Sequence, residues 1–380
     1  MLKQTTRLTP VVRGGSITFQ RRGLATATIE YKRTSQSPFV GRALGLPASV
    51  LSTPEKLSYL EAPSFLPDRC SPKFMQLDTH TWEWEEHNLQ GPVPHSDSFS
   101  QFLIPGTKEV VIVSSNGTMS IVDLPSKTVI STCQSKSPFN FYTAVATASP
   151  QRLWFFEKPK VKYFVSKEGL RKQKHENAIK KEKGLPELEE PHETPKGIAF
   201  WDKSTDAITQ IQPKGNGPSN TATLQVLPWE NNILVFSAEE ESLQVFLLDT
   251  NKNEWSKLAV TGEAPSARDG YALSFLPGKN KAILISGLAL DNKGSPVSGL
   301  KEVWSFDPSA KKWEKVNLEG SVLQRIRRSS FFGGRHPFIP AFGAAAAPIA
   351  EDTLVMMGGI MLSVEPPNPL PVFSVKVSGL

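Results

Sequence analysis

The feature that most constrains this chain is a ten-residue phrase that recurs in five places. The clearest copies are Phe246-Leu-Leu-Asp249-Thr-Asn-Lys-Asn-Glu-Trp255 and Trp304-Ser-Phe-Asp307-Pro-Ser-Ala-Lys-Lys-Trp313. Each is an alternating apolar run, an Asp, a short polar turn and a large apolar residue six positions after the Asp. The anchors are Asp78, Asp123, Asp202, Asp249 and Asp307, followed at +6 by Trp84, Val129, Ile208, Trp255 and Trp313. At +13 stand Gly91, Lys136, Gly215, Gly262 and Gly320. Three of those glycines open Gly-x-x-Pro, ending at Pro94, Pro218 and Pro265.

An Asp at a strand end accepts backbone N–H groups from its own turn. Period-two alternation on either side marks strands. The phrase is therefore an Asp-capped hairpin, and its return strand brings one bulky residue to the same inter-sheet space each time. Anchors follow one another at 45, 79, 47 and 58 residues, near the size of one four-stranded propeller blade. The expectation is an all-β propeller of four-stranded blades. Counting units gives six, with five and seven left open.

Gly262-Glu-Ala-Pro-Ser-Ala-Arg268-Asp-Gly270-Tyr271 resembles the Pro-x-x-Arg-x-Gly-His segment of kelch repeats, with Tyr in place of His. Ala282-Ile-Leu-Ile-Ser286-Gly287 resembles the kelch strand that ends in Gly-Gly, and Gly358-Gly359 matches that pair in full. The resemblance spans roughly residues 74–380 and is strong in one unit. It implies a kelch-type, galactose-oxidase-like propeller, with Trp84, Trp255, Trp313, Gly358 and Gly359 in the blade cores. It also implies a place for Arg268 toward the polar axial channel, or on neighbouring strand ends. Kelch-like copper oxidases need a cysteine-linked tyrosine, two histidines and an axial tyrosine. This chain's five tyrosines and two cysteines do not fall on matching positions.

The net charge of +6 over 380 residues is concentrated at one end. Residues 1–24 hold Lys3, Arg7, Arg13, Arg21 and Arg22 and no acid; subtracting these five leaves the rest at +1. A basic, acid-free leader with Arg22-Gly-Leu24-Ala25 at its end has the composition of a mitochondrial presequence, and the matrix is the expected address. Pro10 and Gly14-Gly15 interrupt any single long helix there. No apolar run reaches the roughly 18 residues of a membrane helix.

Residues 25–73 read as an extended N-terminal segment. Within it Thr26–Lys32 alternates like a strand and is a candidate to close the last blade, while Thr53-Pro-Glu-Lys predicts a short helix to Tyr59. Residues 74–380 form the propeller, interrupted at 158–196 by a charged insertion carrying Lys172, Lys174, Lys180 and Lys181. A second departure holds Arg325, Arg327, Arg328, Phe331, Phe332 and Arg335.

No nucleophile elbow, P-loop or dinucleotide fingerprint is present. The histidines lack metal-ligand spacing. The reading is a non-catalytic scaffold, with no cofactor and no metal, that offers blade loops to protein partners in the mitochondrial matrix. Two alternatives stay open. The basic loops offer phosphate pairing and base stacking to RNA or a mitoribosome, and the axial channel offers a small-molecule site to a kelch-fold enzyme.

Overall fold

A computed structural model describes residues 9–13, 16–20, 25–31, 51–52, 56–61, 73–92, 99–104, 107–114, 118–134, 141–147, 152–157, 197–219, 224–239, 241–290, 296–299, 302–319, 342–360 and 372–380. Among them there is no α-helix. Chain alternation produces four-stranded antiparallel units that we number as blades I to VI. Blade I holds Leu51–Ser52, Lys56–Glu61, Lys73–Asp78 and Trp84–Asn88; blade II holds Phe99–Leu103, Glu109–Ser114, Thr118–Asp123 and Thr128–Gln134. Blade III holds Phe141–Thr147, Arg152–Glu157, Ile198–Asp202 and Ala207–Ile211, and blade IV Leu224–Trp229, Asn232–Glu239, Ser242–Asp249 and Glu254–Lys257. Blade V is Ala272–Leu276, Lys281–Ile285, Val303–Asp307 and Lys312–Glu319. Blade VI takes Phe342–Ala350, Thr353–Ile360 and Val372–Ser378 from the C-terminal end and Thr26–Tyr31 as its outermost strand.

The first strands of successive blades neighbour one another in an unbroken cycle, I to II and onward to VI and back to I. The molecule is a six-bladed β-propeller. Its core is correspondingly divided into six apolar clusters, one at each junction between blades. Period-two alternation sorts the side chains: in blade V, Leu284, Trp304, Phe306 and Trp313 face blade IV, whereas Ile283, Ile285, Val303 and Val316 face blade VI. Strands buried on both faces this way read as near-continuous apolar runs. Each fully buried Leu, Ile or Val stabilises the ring by about 1.5–3 kcal/mol.

Five Asp-anchored phrases suffice for six blades because blade VI needs no third-to-fourth hairpin. Thr26–Tyr31 pairs antiparallel with Phe373–Ser378, and Thr26–Thr28 also pairs in parallel with Asn317–Glu319 of blade V. Ala27 and Ile29 are thereby buried between the two last blades. Closure leaves fewer unpaired strand edges than an open array would.

The described strands within residues 25–73 belong to the ring: Thr26–Tyr31 to blade VI, and Leu51–Ser52 and Lys56–Glu61 to blade I. The helix expected over Thr53–Tyr59 is corrected: Lys56–Glu61 is a strand, paired along its length with Lys73–Asp78, and it buries Leu57. Lys-Leu-Ser-Tyr-Leu-Glu has period two as well as a local N-cap signal, and tertiary pairing overrides the weak local preference. Upstream, Thr9–Arg13 pairs antiparallel with Ser16–Gln20.

Candidate functional site

The Asp-anchored turns repeat in atomic detail. Asp78 accepts from the N–H groups of His80 and Thr81, Asp249 from Asn251 and Lys252, Asp123 from Ser126, Asp202 from Ser204 and Asp307 from Ala310. At +4 each turn carries a left-handed residue: Trp82, Lys127, Asp206, Asn253 and Lys311 have φ between 51° and 59°. The bonds hold four of these carboxyls below their usual range. Backbone N–H donors lead at Asp78 and Asp249, and the Ser126 and Ser204 hydroxyls at Asp123 and Asp202. The carboxylates are spent on the turns, which separates them around the ring instead of pairing them for acid–base work.

The +6 residue always faces the preceding blade: Trp84 toward VI, Val129 toward I, Ile208 toward II, Trp255 toward III and Trp313 toward IV. Three of the +13 glycines, Gly91, Gly215 and Gly262, reach forward instead. As the chain leaves a blade, it lies parallel to the outer strand of the next, with Gln90 beside Thr128, Lys214 beside Glu254 and Thr261 beside Lys312. In each clasp the exit residue's N–H donates to the carbonyl of the left-handed turn residue, and the +6 N–H donates back. Gly91, Gly215 and Gly262 follow with φ of 94°, 81° and 84°, against the backbone of Val129, Trp255 and Trp313. Glycine is needed there twice over, for its conformation and for the missing Cβ.

Blade V carries a polar network built around one buried arginine. Arg268 is fully buried. Its Nε donates to the Ser266 carbonyl (3.0 Å), its Nη1 to the Ser286 carbonyl (3.2 Å), and its Nη2 to Ser266 Oγ and Glu302 Oε2 (3.1 Å each). Glu302 also accepts from Trp304 Nε1 at 3.0 Å and Lys315 Nζ at 2.5 Å, and Lys315 lies 5.1 Å over the Trp304 ring. Burial pushes the Glu302 carboxyl up, but hydrogen bonds from Lys315, Trp304 and Arg268 outweigh it and bring the pKa to about 2. The fork of one arginine thus joins the entry to the first strand, the end of the second and the start of the third. Of the two roles open to Arg268, the structure places it on strand ends.

Ser286 occupies the first position of the Gly-Gly-like pair with φ 62°, and its buried Oγ has no partner. Asp269, half-buried beside Arg268, is held above the usual carboxylate range by burial, against one bond from the Gly270 N–H. Cys133 is free, with burial raising its thiol. No three His, Cys, Asp or Glu side chains converge as metal ligands among the described residues.

Gly358 and Gly359 lie in the second strand of blade VI. Lys172, Lys174, Lys180, Lys181, Arg325, Arg327, Arg328, Phe331, Phe332 and Arg335 lie outside the described residues. The strand ends that lead to them are described. Glu157 and Ile198 bracket the insertion, and Phe342 receives the chain after the Arg-rich stretch; the pairings Phe141↔Glu157, Ile198↔Phe156 and Phe342↔Ile360 put these ends on the face opposite the Asp-capped turns. Sequence reasoning missed Glu302, although an acid directly before Val303-Trp304, in the unit holding Arg268, was a readable signal.

No protein-family model matches the chain. Among solved structures it is similar to a fungal alcohol oxidase of the AA5 family in complex with copper, at 10% identity and TM-score 0.51, over 91% of this chain and 76% of that one. It also matches the hydrazine synthase of Kuenenia stuttgartiensis (10% identity, TM-score 0.46, 85% and 80% covered) and U3-55K (10%, 0.48, 92% and 98%). At this identity the first likeness supports the propeller fold alone.

Proposed function

We propose that this propeller is a non-catalytic, kelch-type protein-interaction scaffold of the mitochondrial matrix. The observation that supports it is how the ring spends its polar residues. The five anchor carboxylates cap turns, and Arg268 and Glu302 tie strand ends together. The opposite face is where the chain leaves for its two charged departures, and a ring that carries two long connections on one face offers them for docking. The basic, acid-free leader supplies the address.

Crosslinking mass spectrometry on intact mitochondria tests both parts. The expected result is a small set of partner proteins crosslinked to lysines of 158–196. Recovery only from another compartment would overturn the address. Retention that collapses with rising salt and survives as RNA crosslinks would replace the protein partner with RNA.

A further inference from the structure

The position nine residues after an anchor Asp is apolar in three blades and ionisable in one. In blades III, IV and V it is Ile211, Leu258 and Val316, each packed into the apolar cluster shared with the following blade. In blade I it is His87. His87 pairs with Phe74, and Phe74 and Leu89 belong to the cluster between blades I and II. Period two puts His87 on that same face, so an imidazole stands where the equivalent units place a hydrocarbon side chain.

The charged groups around the imidazole, among the described residues, come from three elements. Glu85 is on the same strand, with Oε2 3.4 Å from His87 Nε2, but Lys56 of the second strand already holds that oxygen at 2.8 Å. From blade II comes Lys127, whose carbonyl accepts the Gln90 N–H of the clasp itself. The His87 side chain is 24% exposed and its Nε2 is shut off from solvent. A proton taken up there sets a second cation beside Lys127 and a charge in a mostly apolar junction, both unfavourable. The clasp next to it is also the loosest of the three described. A Cβ on Gly91 would stand 3.3 Å from the Val129 oxygen, against 2.7 Å for Gly215 on Trp255 and 2.4 Å for Gly262 on Trp313.

We infer that the joint between blades I and II is a pH-sensitive hinge: a proton on His87 opens the clasp at Gln90, while the clasps at Lys214 and Thr261 stay shut. Opening returns the imidazole to water, where its charged form carries no penalty. In the closed joint, burial and then Lys127 hold its titration below the ordinary value of 6.5. The open form therefore binds more protons than the closed one, and opening grows with acidity through the range just below 6.5. Ile211 and Leu258 take up no proton, so the two other clasps lack this response. The ring has one joint that yields to acid beside two that do not.

Hydrogen–deuterium exchange on the full chain reads the joints separately, because each clasp holds one amide that donates back: Val129, Trp255 and Trp313. Rates are divided by those of the unfolded chain at each pH. Between about pH 7.5 and about pH 5.5, Val129 is expected to lose about fivefold in protection relative to Trp255 and Trp313. His87→Leu, which installs the side chain of the blade IV equivalent, should abolish that relative loss. Lys127→Gln should shrink it. A relative loss that survives His87→Leu, three amides that respond in parallel, or a Val129 amide indifferent to pH would each overturn the proposal.

Discussion

Gly215 lies flat against the backbone of Trp255: a Cβ added to it would stand 2.7 Å from the Trp255 carbonyl oxygen. One blade is fastened to the next at this spot, and the equivalent approach of Gly262 to Trp313 is closer still. At φ 81° an L side chain adds conformational strain to the clash. Gly215→Ala is expected to cost about 2–4 kcal/mol, read as a shift in urea midpoint. Gly91→Ala, where the same Cβ meets Val129 oxygen at 3.3 Å, should cost less. Equal effects at the two sites would mean that strain alone, and not the clasp, sets the loss.

Ser286 is the reverse case. It holds a left-handed conformation with a buried hydroxyl that nothing engages. Ser286→Gly removes roughly 1–2 kcal/mol of backbone strain and an orphan donor, against up to about 1 kcal/mol of added chain entropy. A net gain of about 1 kcal/mol is expected in thermal unfolding. The Arg268 bond to the residue's carbonyl is unaffected by the change.

Glu302→Gln leaves the fully buried Arg268 without its carboxylate. A loss of about 3 kcal/mol or more is expected. A double-mutant cycle with Arg268→Met should show that the two losses are not additive. The wild-type carboxyl has a folded pKa of about 2 against a reference of 4.5. Its stabilisation is therefore complete above 4.5 and is lost as pH falls from there toward 2. Glu302→Gln should flatten the acid-unfolding curve in that window.

His87, half-buried on the outer strand of blade I, has its pKa lowered by burial and then by Lys127 of blade II, despite Glu85 at 3.4 Å. A base with a lowered folded pKa binds fewer protons folded than unfolded. Stability thus rises with pH through the region just below 6.5 and is lost on acidification there. His87→Gln should remove that slope from a pH series of urea midpoints.

The ring seam gives a further test. Ile29 is buried between blades V and VI. Ile29→Ala is expected to destabilise by about 2–4 kcal/mol. Deleting 25–31 should abolish the cooperative transition, because both the outer strand of blade VI and the parallel partner of blade V go with it.

Much of this architecture was readable because a hairpin is a local object. Asp249 and Trp255 belong to one turn, so their spacing in sequence is their spacing in space. The strand Thr26–Tyr31 was readable too, through its alternation. What escaped was set by distant partners. Leu57 is a strand residue because Lys73–Asp78 lies beside it, and a local N-cap pattern pointed elsewhere. The +13 glycines were visible as a period, but their reason is the carbonyl of a residue roughly forty or fifty positions on. Glu302 joins Arg268 and Lys315 only once four strands are side by side.

Thr26–Tyr31 meets its two neighbours only across nearly the whole length of the polypeptide. Synthesis runs from the N-terminal side, so this strand is made well before Asn317–Glu319 and Phe373–Ser378. Five sheets can assemble in order of arrival, yet the apolar wall that holds Val316, Leu354 and Val375 stays open until Phe373–Ser378 is made. Pairing of Thr26–Tyr31 with both partners is then the last contact needed to cover that wall, and a chaperone is most useful in the interval before it.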